Sequence, residues 1–289
     1  MGVLYYNGGL VDSDGFALPH DERGYLYGDG VFETMRAYGG RVFAAERHAA
    51  RMLSSAKALG FSLSLGQGVL AQIFQKTADA NAPSPAGELY LRATLTRGRG
   101  YGPDLARAFE ANLLVYARPL DPLAPSLYAR GIAAVYASER RSARSTLARH
   151  KTTSYLAALL DRQEARSRGA DEALLLDTDG FVLEGACSNL FLVAGGALCT
   201  PPAAQNLLPG ITRAVVLELA GAGRLTLEES PVRPEALEKA DEAFLTNAVQ
   251  ELVPLVRVEG KPVGAGAPGR TTIRLLEAYR AAVLQATHP

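Results

Sequence analysis

The chain has 289 residues, 48% of them hydrophobic, which is enough apolar material for one large or two ordinary folded domains. Lysine plus arginine and aspartate plus glutamate both number 30, so the formal net charge is +0 and no global field draws the chain to nucleic acid or anionic lipid. Its beginning lacks a basic segment followed by a long apolar run, and no stretch reaches membrane-spanning length, so the expectation is a soluble cytoplasmic protein with no membrane partner. The two cysteines, Cys187 and Cys199, are read as reduced and packed as small apolar groups. His20, His48, His150 and His288 show no ligand spacing, and no metal is expected.

Val3 to Tyr6 and Leu10-Val11 flank Asn7-Gly8-Gly9, a hairpin signal that opens an N-terminal sheet. Residues 23–36 combine glycines, aromatics and a strand of buried type; the spacing of Gly24, Gly28 and Gly30 does not follow the dinucleotide-binding fingerprint. Across 45–59, Ala49, Met52, Leu53, Ala56 and Leu59 form a helical stripe that ends at Gly60. A second helix is expected over 69–79. Residues 88–96 alternate, with Leu89, Leu91, Ala93 and Leu95 on one face and Tyr90, Arg92, Thr94 and Thr96 on the other. Arg97 then leads into the glycine-rich loop 98–102, able to clamp a carboxylate or simply to be solvated.

After a strand over 112–117, three prolines in 118–125 mark a linker. The division this gives is a small domain over 1–117, a linker over 118–128 and a larger domain over 129–289. Beyond a strand at 131–137, Lys151 stands just ahead of a helix expected over 153–168. The positive potential of that helix start, with partial burial, would favour the neutral amine that Schiff-base chemistry requires. Leu156, Leu159 and Leu160 form its apolar stripe, and Tyr155 at i+4 would share a face with Lys151. Residues 172–177, a Thr178-Asp179-Gly180 turn and residues 181–184 read as a hairpin that delivers Glu184 beside Gly185, where a backbone can approach a ligand. Pro209-Gly210-Ile211-Thr212 opens a helix whose exposed N–H groups suit phosphate. Phe244 to Ala248 ends a strand, and an amphipathic helix over 270–283 closes the chain. Taken singly, a lysine before a helix and a glutamate at a strand end are ordinary solvated charges.

Three stretches in this order, Arg149-x-Lys151-Thr152-x-x-Tyr155-Leu156, Glu184-Gly185-x-x-Ser188-Asn189-Leu190-Phe191 and Leu208-Pro209-Gly210-Ile211-Thr212-Arg213, resemble the class IV, or fold type IV, pyridoxal-phosphate enzymes. The resemblance runs from about Tyr6 to the last helix. It implies an α+β fold with a smaller N-terminal α/β domain and a larger C-terminal domain around a mixed, barrel-like sheet. It also implies a homodimer and pyridoxal 5′-phosphate as cofactor. Lys151 becomes the residue that carries the cofactor and moves the proton, and Glu184 the partner of the pyridine nitrogen. Tyr155 is placed on the ring's phenolic oxygen. Arg51, in His48-x-x-Arg51-Met52, is placed on the phosphate with Ile211 and Thr212. Ala248 or Thr246 makes a second phosphate contact; Ala248 departs from the hydroxyl residue that several relatives carry. Tyr27, Phe32, Arg36, Arg92 and Arg97 are implied on the substrate.

Within the family three features point to 4-amino-4-deoxychorismate lyase: Thr34 as a proton-transfer aid, the four-residue step from Lys151 to Tyr155, and Thr246-Asn247-Ala248. Tyr90-Leu91-Arg92 with Arg36 points to branched-chain or D-amino-acid aminotransferases. The lyase is the first expectation, the aminotransferase the alternative, and a non-catalytic cofactor-binding protein the remote one.

Overall fold

The computed structural model describes residues 2–82, 87–108, 110–121 and 123–287. Pro122 of the expected linker and His288 lie outside them. The chain divides into two compact units, one of Met1–Asp121, His150–Ser154 and Val283–Pro289, the other of Pro122–Arg149 and Tyr155–Ala282.

In the first unit the elements are β1 (Val3–Tyr6), β2 (Gly9–Asp12), α1 (Arg23–Tyr27), β3 (Gly30–Tyr38), β4 (Arg41–Val42), α2 (Ala45–Ala58), α3 (Gln67–Asn81), β5 (Leu89–Thr96) and β6 (Asn112–Pro119). Asn7 and Gly8 both adopt positive φ, as a two-residue hairpin turn demands, and β1 pairs antiparallel with β2. The sheet order is β2-β1-β6-β5-β3-β4. Alternation sends Leu89, Leu91, Ala93 and Leu95 of β5, with Val31 and Met35 of β3, into one core with Ala49, Met52 and Ala56 of α2 and Leu70 and Phe74 of α3. Both helices therefore cover a single face of the sheet.

The second unit follows with α4 (Ser126–Arg130), β7 (Ile132–Arg141), α5 (Leu156–Ser167), β8 (Glu172–Asp177), β9 (Val182–Gly185), β10 (Asn189–Ala194), β11 (Ala197–Thr200), α6 (Ile211–Ala222), β12 (Thr226–Glu229), α7 (Pro234–Glu238), β13 (Glu242–Asn247), β14 (Glu251–Val258), β15 (Lys261–Pro262) and α8 (Arg270–Thr287). Its sheet runs β12-β11-β10-β13-β14-β7-β8-β9, with β15 on β14. Pairing is mixed: β7 lies parallel to β14 and to β8, whereas β8–β9, β10–β13 and β13–β14 are antiparallel. The architecture is α+β. Among the described residues no helix is long and apolar enough to cross a membrane.

The segment 150–168 departs from its expected form in two ways. The helix starts at Leu156 rather than at 153, because residues 151–153 pair instead with the start of β3: the Phe32 N–H donates to the Lys151 carbonyl at 2.7 Å and the Thr153 N–H to the Gly30 carbonyl at 2.9 Å. Lys151 and Tyr155 therefore do not stand one turn apart on a helix. The leucine stripe also faces away from the core, Leu156, Leu159 and Leu160 being 68%, 52% and 55% exposed. Alanines make the inward face, Ala158 and Ala165 packing with Ala137, Ala170 and Ala173. Small side chains let the helix lie close on β7 and β8.

Candidate functional site

In the first unit β3 carries a buried carboxylate on its helix-covered face. Glu33 is 1% exposed and receives the Arg51 guanidinium as a fork, Nε to Oε1 at 2.8 Å and Nη2 to Oε2 at 2.6 Å. His48 Nδ1 approaches Oε2 at 2.7 Å, and since a carboxylate only accepts, the ring carries its proton on that nitrogen. Burial alone would raise the Glu33 carboxyl, but the Arg51 charge and the hydrogen bonds from Arg51 and His48 outweigh it and hold the pKa at about 2. Burial pushes the His48 imidazolium down, with the Arg51 and Lys151 charges adding to the effect.

The other side of β3 presents Phe32, Thr34 and Arg36. Phe32 is buried, and its ring lies 4.4 Å from Lys151 Nζ and 3.8 Å from the Arg92 guanidinium carbon. Two cations thus share one aromatic ring. Thr34 is opposite Arg92 in the β3–β5 register, and no acidic side chain bonds Arg92 among the described residues. Arg36 and Arg97, expected on the substrate, have partners inside the unit. Arg36 donates Nε and Nη2 to Glu88 Oε2 at 3.1 and 2.6 Å. Arg97 is held by Asp29 at 3.0 Å and by the carbonyls of Gly60 and Leu59 at 2.8 and 2.9 Å. Tyr27 is half exposed beneath the Arg23 guanidinium.

In the second unit Glu184 is the last residue but one of β9, buried, and its carboxylate accepts from Arg141 Nη1 at 2.6 Å and from Asn189 Nδ2 and the Leu208 N–H at 3.2 Å each. Asn189 also donates to the Leu208 carbonyl at 2.9 Å, tying β10 to the loop ahead of α6. A side chain at Gly210 would strike the Asn189 carboxamide, so glycine is required where that loop meets α6. Gly210 caps the helix without a side-chain hydrogen bond. The first N–H groups of an α-helix have no carbonyl one turn earlier to bond, and Ile211 and Thr212 hold these positions in α6. Thr246 Oγ1 is a buried hydroxyl with no hydrogen-bond partner among the described residues, and Ala248 sits in the turn that Asn247 closes by accepting from the N–H groups of Val249 and Gln250. The Tyr155 hydroxyl lies 2.8 Å from Cys187 Sγ and 3.5 Å from the Ala186 carbonyl. Burial, then Cys187, pushes its pKa far up. Gly185 does not open onto a ligand as expected: a Cβ there would meet Ser188 Oγ and the Glu172 side chain.

The structure thus brings Lys151, Phe32, Thr34 and Arg92 together in one unit. In the other it joins Glu184, Asn189 and the loop into α6. Glu33 and Arg141 were not singled out from the sequence, and His48 and Asn189 stood in the quoted motifs without a role of their own. A lone acid inside the apolar run Val31-Phe32-Glu33-Thr34-Met35 was the available signal for Glu33. Arg141, one of several arginines in 140–149, offered none.

The family model for amino-transferase class IV matches residues 30–258. The chain is 36% identical over 279 residues to a putative branched-chain-amino-acid aminotransferase of Methanocaldococcus jannaschii, covering 96% of this chain and 95% of that one. It is 32% identical over 292 residues to the D-alanine aminotransferase of Bacillus licheniformis, covering 99% of each. The branched-chain amino acid aminotransferase of Thermobaculum terrenum, solved in its PLP form, superposes with a TM-score of 0.87 at 26% identity over 98% of this chain and 94% of that one. The architecture is that of fold type IV. These relatives are aminotransferases by name, so the expectation of a lyase gives way. Its three local features concern proton transfer and cofactor contacts, which both reactions share, and do not decide which bond breaks next. By model, identity and fold, the chain belongs to the class IV aminotransferase family.

Proposed function

We propose that the chain is a pyridoxal-phosphate-dependent aminotransferase that exchanges the amino group of a branched-chain or D-amino acid with 2-oxoglutarate. The observation that carries this reading is the Phe32 ring, with the Lys151 amine at 4.4 Å and the Arg92 guanidinium at 3.8 Å. An amine that handles a proton and a cation able to take a carboxylate are what an α-amino acid needs side by side.

The cofactor is pyridoxal phosphate, and the donor set fits it. There is a primary amine in Lys151, a buried carboxylate in Glu184 and a helix start at Ile211 and Thr212. An orphaned buried hydroxyl, Thr246 Oγ1, stands at the end of β13. Pyridoxal phosphate supplies an aldehyde that takes up the amino group and a pyridinium ring that accepts the electron pair left when the Cα–H bond breaks. Lys151 Nζ removes and returns that proton. Glu184, held by Arg141, Asn189 and Leu208, would accept from the pyridine N–H and keep it protonated. For a phosphate, the first unit would offer Arg51, oriented by Glu33, and the second would offer the backbone of Ile211 and Thr212, with Thr246 or the Ala248 N–H as a further donor. Tyr155 would offer its hydroxyl to the ring's phenolic oxygen. Arg92 takes the α-carboxylate, while Thr34, Phe32 and Tyr27 shape the substrate side. Arg36 and Arg97 act through the loops and strands they brace.

The same reading includes a homodimer, supported by the three exposed leucines of α5. The test is the half-reaction with branched-chain amino acids and with D-alanine, followed as keto acid released and as the pyridoxamine form. Arg92→Gln is expected to raise the KM for the amino donor about tenfold or more, the loss of a charged hydrogen-bonded contact. Release of pyruvate from aminodeoxychorismate with no keto-acid acceptor would overturn the reading.

A further inference from the structure

The residues on which Lys151 is seated have no part in the chemistry above. Lys151 to Ser154 lie extended against the start of β3 in the first unit. Beside the backbone bonds from Phe32 to Lys151 and from Thr153 to Gly30, Thr153 Oγ1 donates to the Gly28 carbonyl at 2.7 Å and Ser154 Oγ to the same carbonyl at 3.3 Å. Gly28 has a φ of 64°, and a Cβ on it would strike Ser154 Oγ, so glycine is required where the two stretches meet. The seat is therefore Gly28-Asp29-Gly30, and a tripeptide with glycine at both ends has little stiffness of its own. Its central residue supplies the stiffness. The Asp29 N–H donates to the Arg23 carbonyl at 3.4 Å, and its own carbonyl accepts from the Arg97 N–H at 3.1 Å. Its carboxylate takes Arg23 Nε at 2.8 Å and Arg97 Nε at 3.0 Å.

We propose that Asp29 is a positioning residue for Lys151: clamped between two buried guanidinium groups, it fixes the carbonyls of Gly28 and Gly30 that receive Thr153, and so holds the Lys151 amine 4.4 Å from the Phe32 ring centre. Arg23 and Arg97 are 1% and 9% exposed, and carbonyls anchor both. Arg23 Nη1 donates to Gly102 at 2.8 Å, and Arg97 donates to Leu59 and Gly60, just past the end of α2. The last carbonyls of a helix have no amide one turn on and carry its negative end, so Arg97 caps α2. The Asp29 carboxylate thus joins the end of α2, the loop at Gly102 and the seat of Lys151. Without its charge two buried cations would stand side by side with no anion between them, an arrangement that draws in water. The turn would loosen, and the carbonyls that seat Thr153 would move with it.

The consequence for turnover rests on the proposed function; the seating of Lys151 does not. The experiment labels lysine at Cε with carbon-13 in the full chain, assigns Lys151 with Lys151→Ala, and compares Asp29→Asn, Arg97→Gln and Thr153→Val. The Phe32 ring shifts the resonance of a lysine held over it, so in Asp29→Asn the Lys151 signal is expected to move toward the position of exposed lysines. Hydrogen exchange in the peptides that contain Phe32 and Thr153 should speed up about tenfold, the worth of one charged hydrogen bond, while α3 keeps its protection. A role in general stability would leave the resonance of the folded protein in place and would speed exchange in α3 as well. In the holoenzyme, kcat for the amino-acid half-reaction is expected to fall about fivefold with KM for the donor unchanged, the reverse of the pattern expected for Arg92→Gln. Arg97→Gln, which keeps Arg23 on Asp29, and Thr153→Val, which keeps the whole clamp, should show the same changes to a smaller degree, and they carry the test if Asp29→Asn does not fold. A Lys151 resonance that stays in place in every folded variant, exchange that rises equally in α3, or an unchanged kcat would each overturn the proposal. If wild type transaminates nothing while the resonance and the exchange change as expected, the proposed function fails and the seating stands.

Discussion

Two buried glutamates, one in each unit, sit near an arginine, and their pKa values move in opposite directions. Glu33 receives Arg51 as a fork at 2.6 and 2.8 Å with His48 as a third donor, and its pKa falls from 4.5 to about 2 despite burial. Glu172 has Arg162 only at 3.6 Å, outside hydrogen-bond reach, and burial, the leading cause, raises its pKa. Nearness to a cation does not decide the charge of a buried acid; whether the cation's own N–H groups reach the carboxylate does. The first unit thus keeps a fixed anion that orients an arginine proposed for the phosphate. The second keeps an acid whose charge is weakly supported, its arginine neighbour standing outside hydrogen-bond reach.

Breaking the stronger arrangement has the largest expected effect. Glu33→Gln leaves the Arg51 guanidinium without its carboxylate and is expected to cost about 3 to 5 kcal/mol in urea unfolding, the range for removing one partner of a buried pair. A loss below about 1 kcal/mol, the level of an exposed pair, would show that Arg51 is compensated elsewhere.

The pH dependence separates the two acids by sign. The folded pKa of Glu33 lies below its unfolded value, so its stability is present above pH 4.5 and drains away as pH falls toward 2. The shift amounts to about 3 kcal/mol. The folded pKa of Glu172 lies above its unfolded value, so its contribution is complete below the unfolded pKa and is lost as pH rises through the folded one. In urea melts over a pH series, Glu33→Gln should flatten the acid limb. Glu172→Gln should instead gain on wild type as pH rises, and by less. Identical profiles for the two variants would end the contrast.

The smallest effect on fold stability is expected at α5. Leu156→Glu with Leu159→Glu should leave unfolding within about 0.5 kcal/mol, as at exposed positions, yet convert a dimer to a monomer in sedimentation. A dimer that persists unchanged would place the subunit contact on another face.

What the sequence made legible was local. The Asn7-Gly8 turn, the α2 stripe through Met52 and the alternation of β5 each follow from neighbours along the chain, and each forms as expected. The extended segment at Lys151 was not legible, because residues distant in sequence, at the start of β3, claim its backbone groups. Periodicity also identified an apolar face on α5 without saying whether this chain's own core covers it; alanines took that role. For the candidate site, the motifs marked Lys151, Glu184 and Arg51 and contained Asn189 and His48 without giving them a role, whereas Arg141, which holds Glu184, and the Glu33 carboxylate beneath Arg51 are 43 and 18 residues away from their partners, separations that spacing does not reveal.

The central claim is that the amine of Lys151 is the group to which the cofactor is joined. Purified holoenzyme treated with borohydride and digested should give one reduced, phosphopyridoxylated peptide, with the label on Lys151, and Lys151→Ala should give none while keeping its fold by circular dichroism. A label on another lysine, or full turnover in Lys151→Ala, would contradict the account.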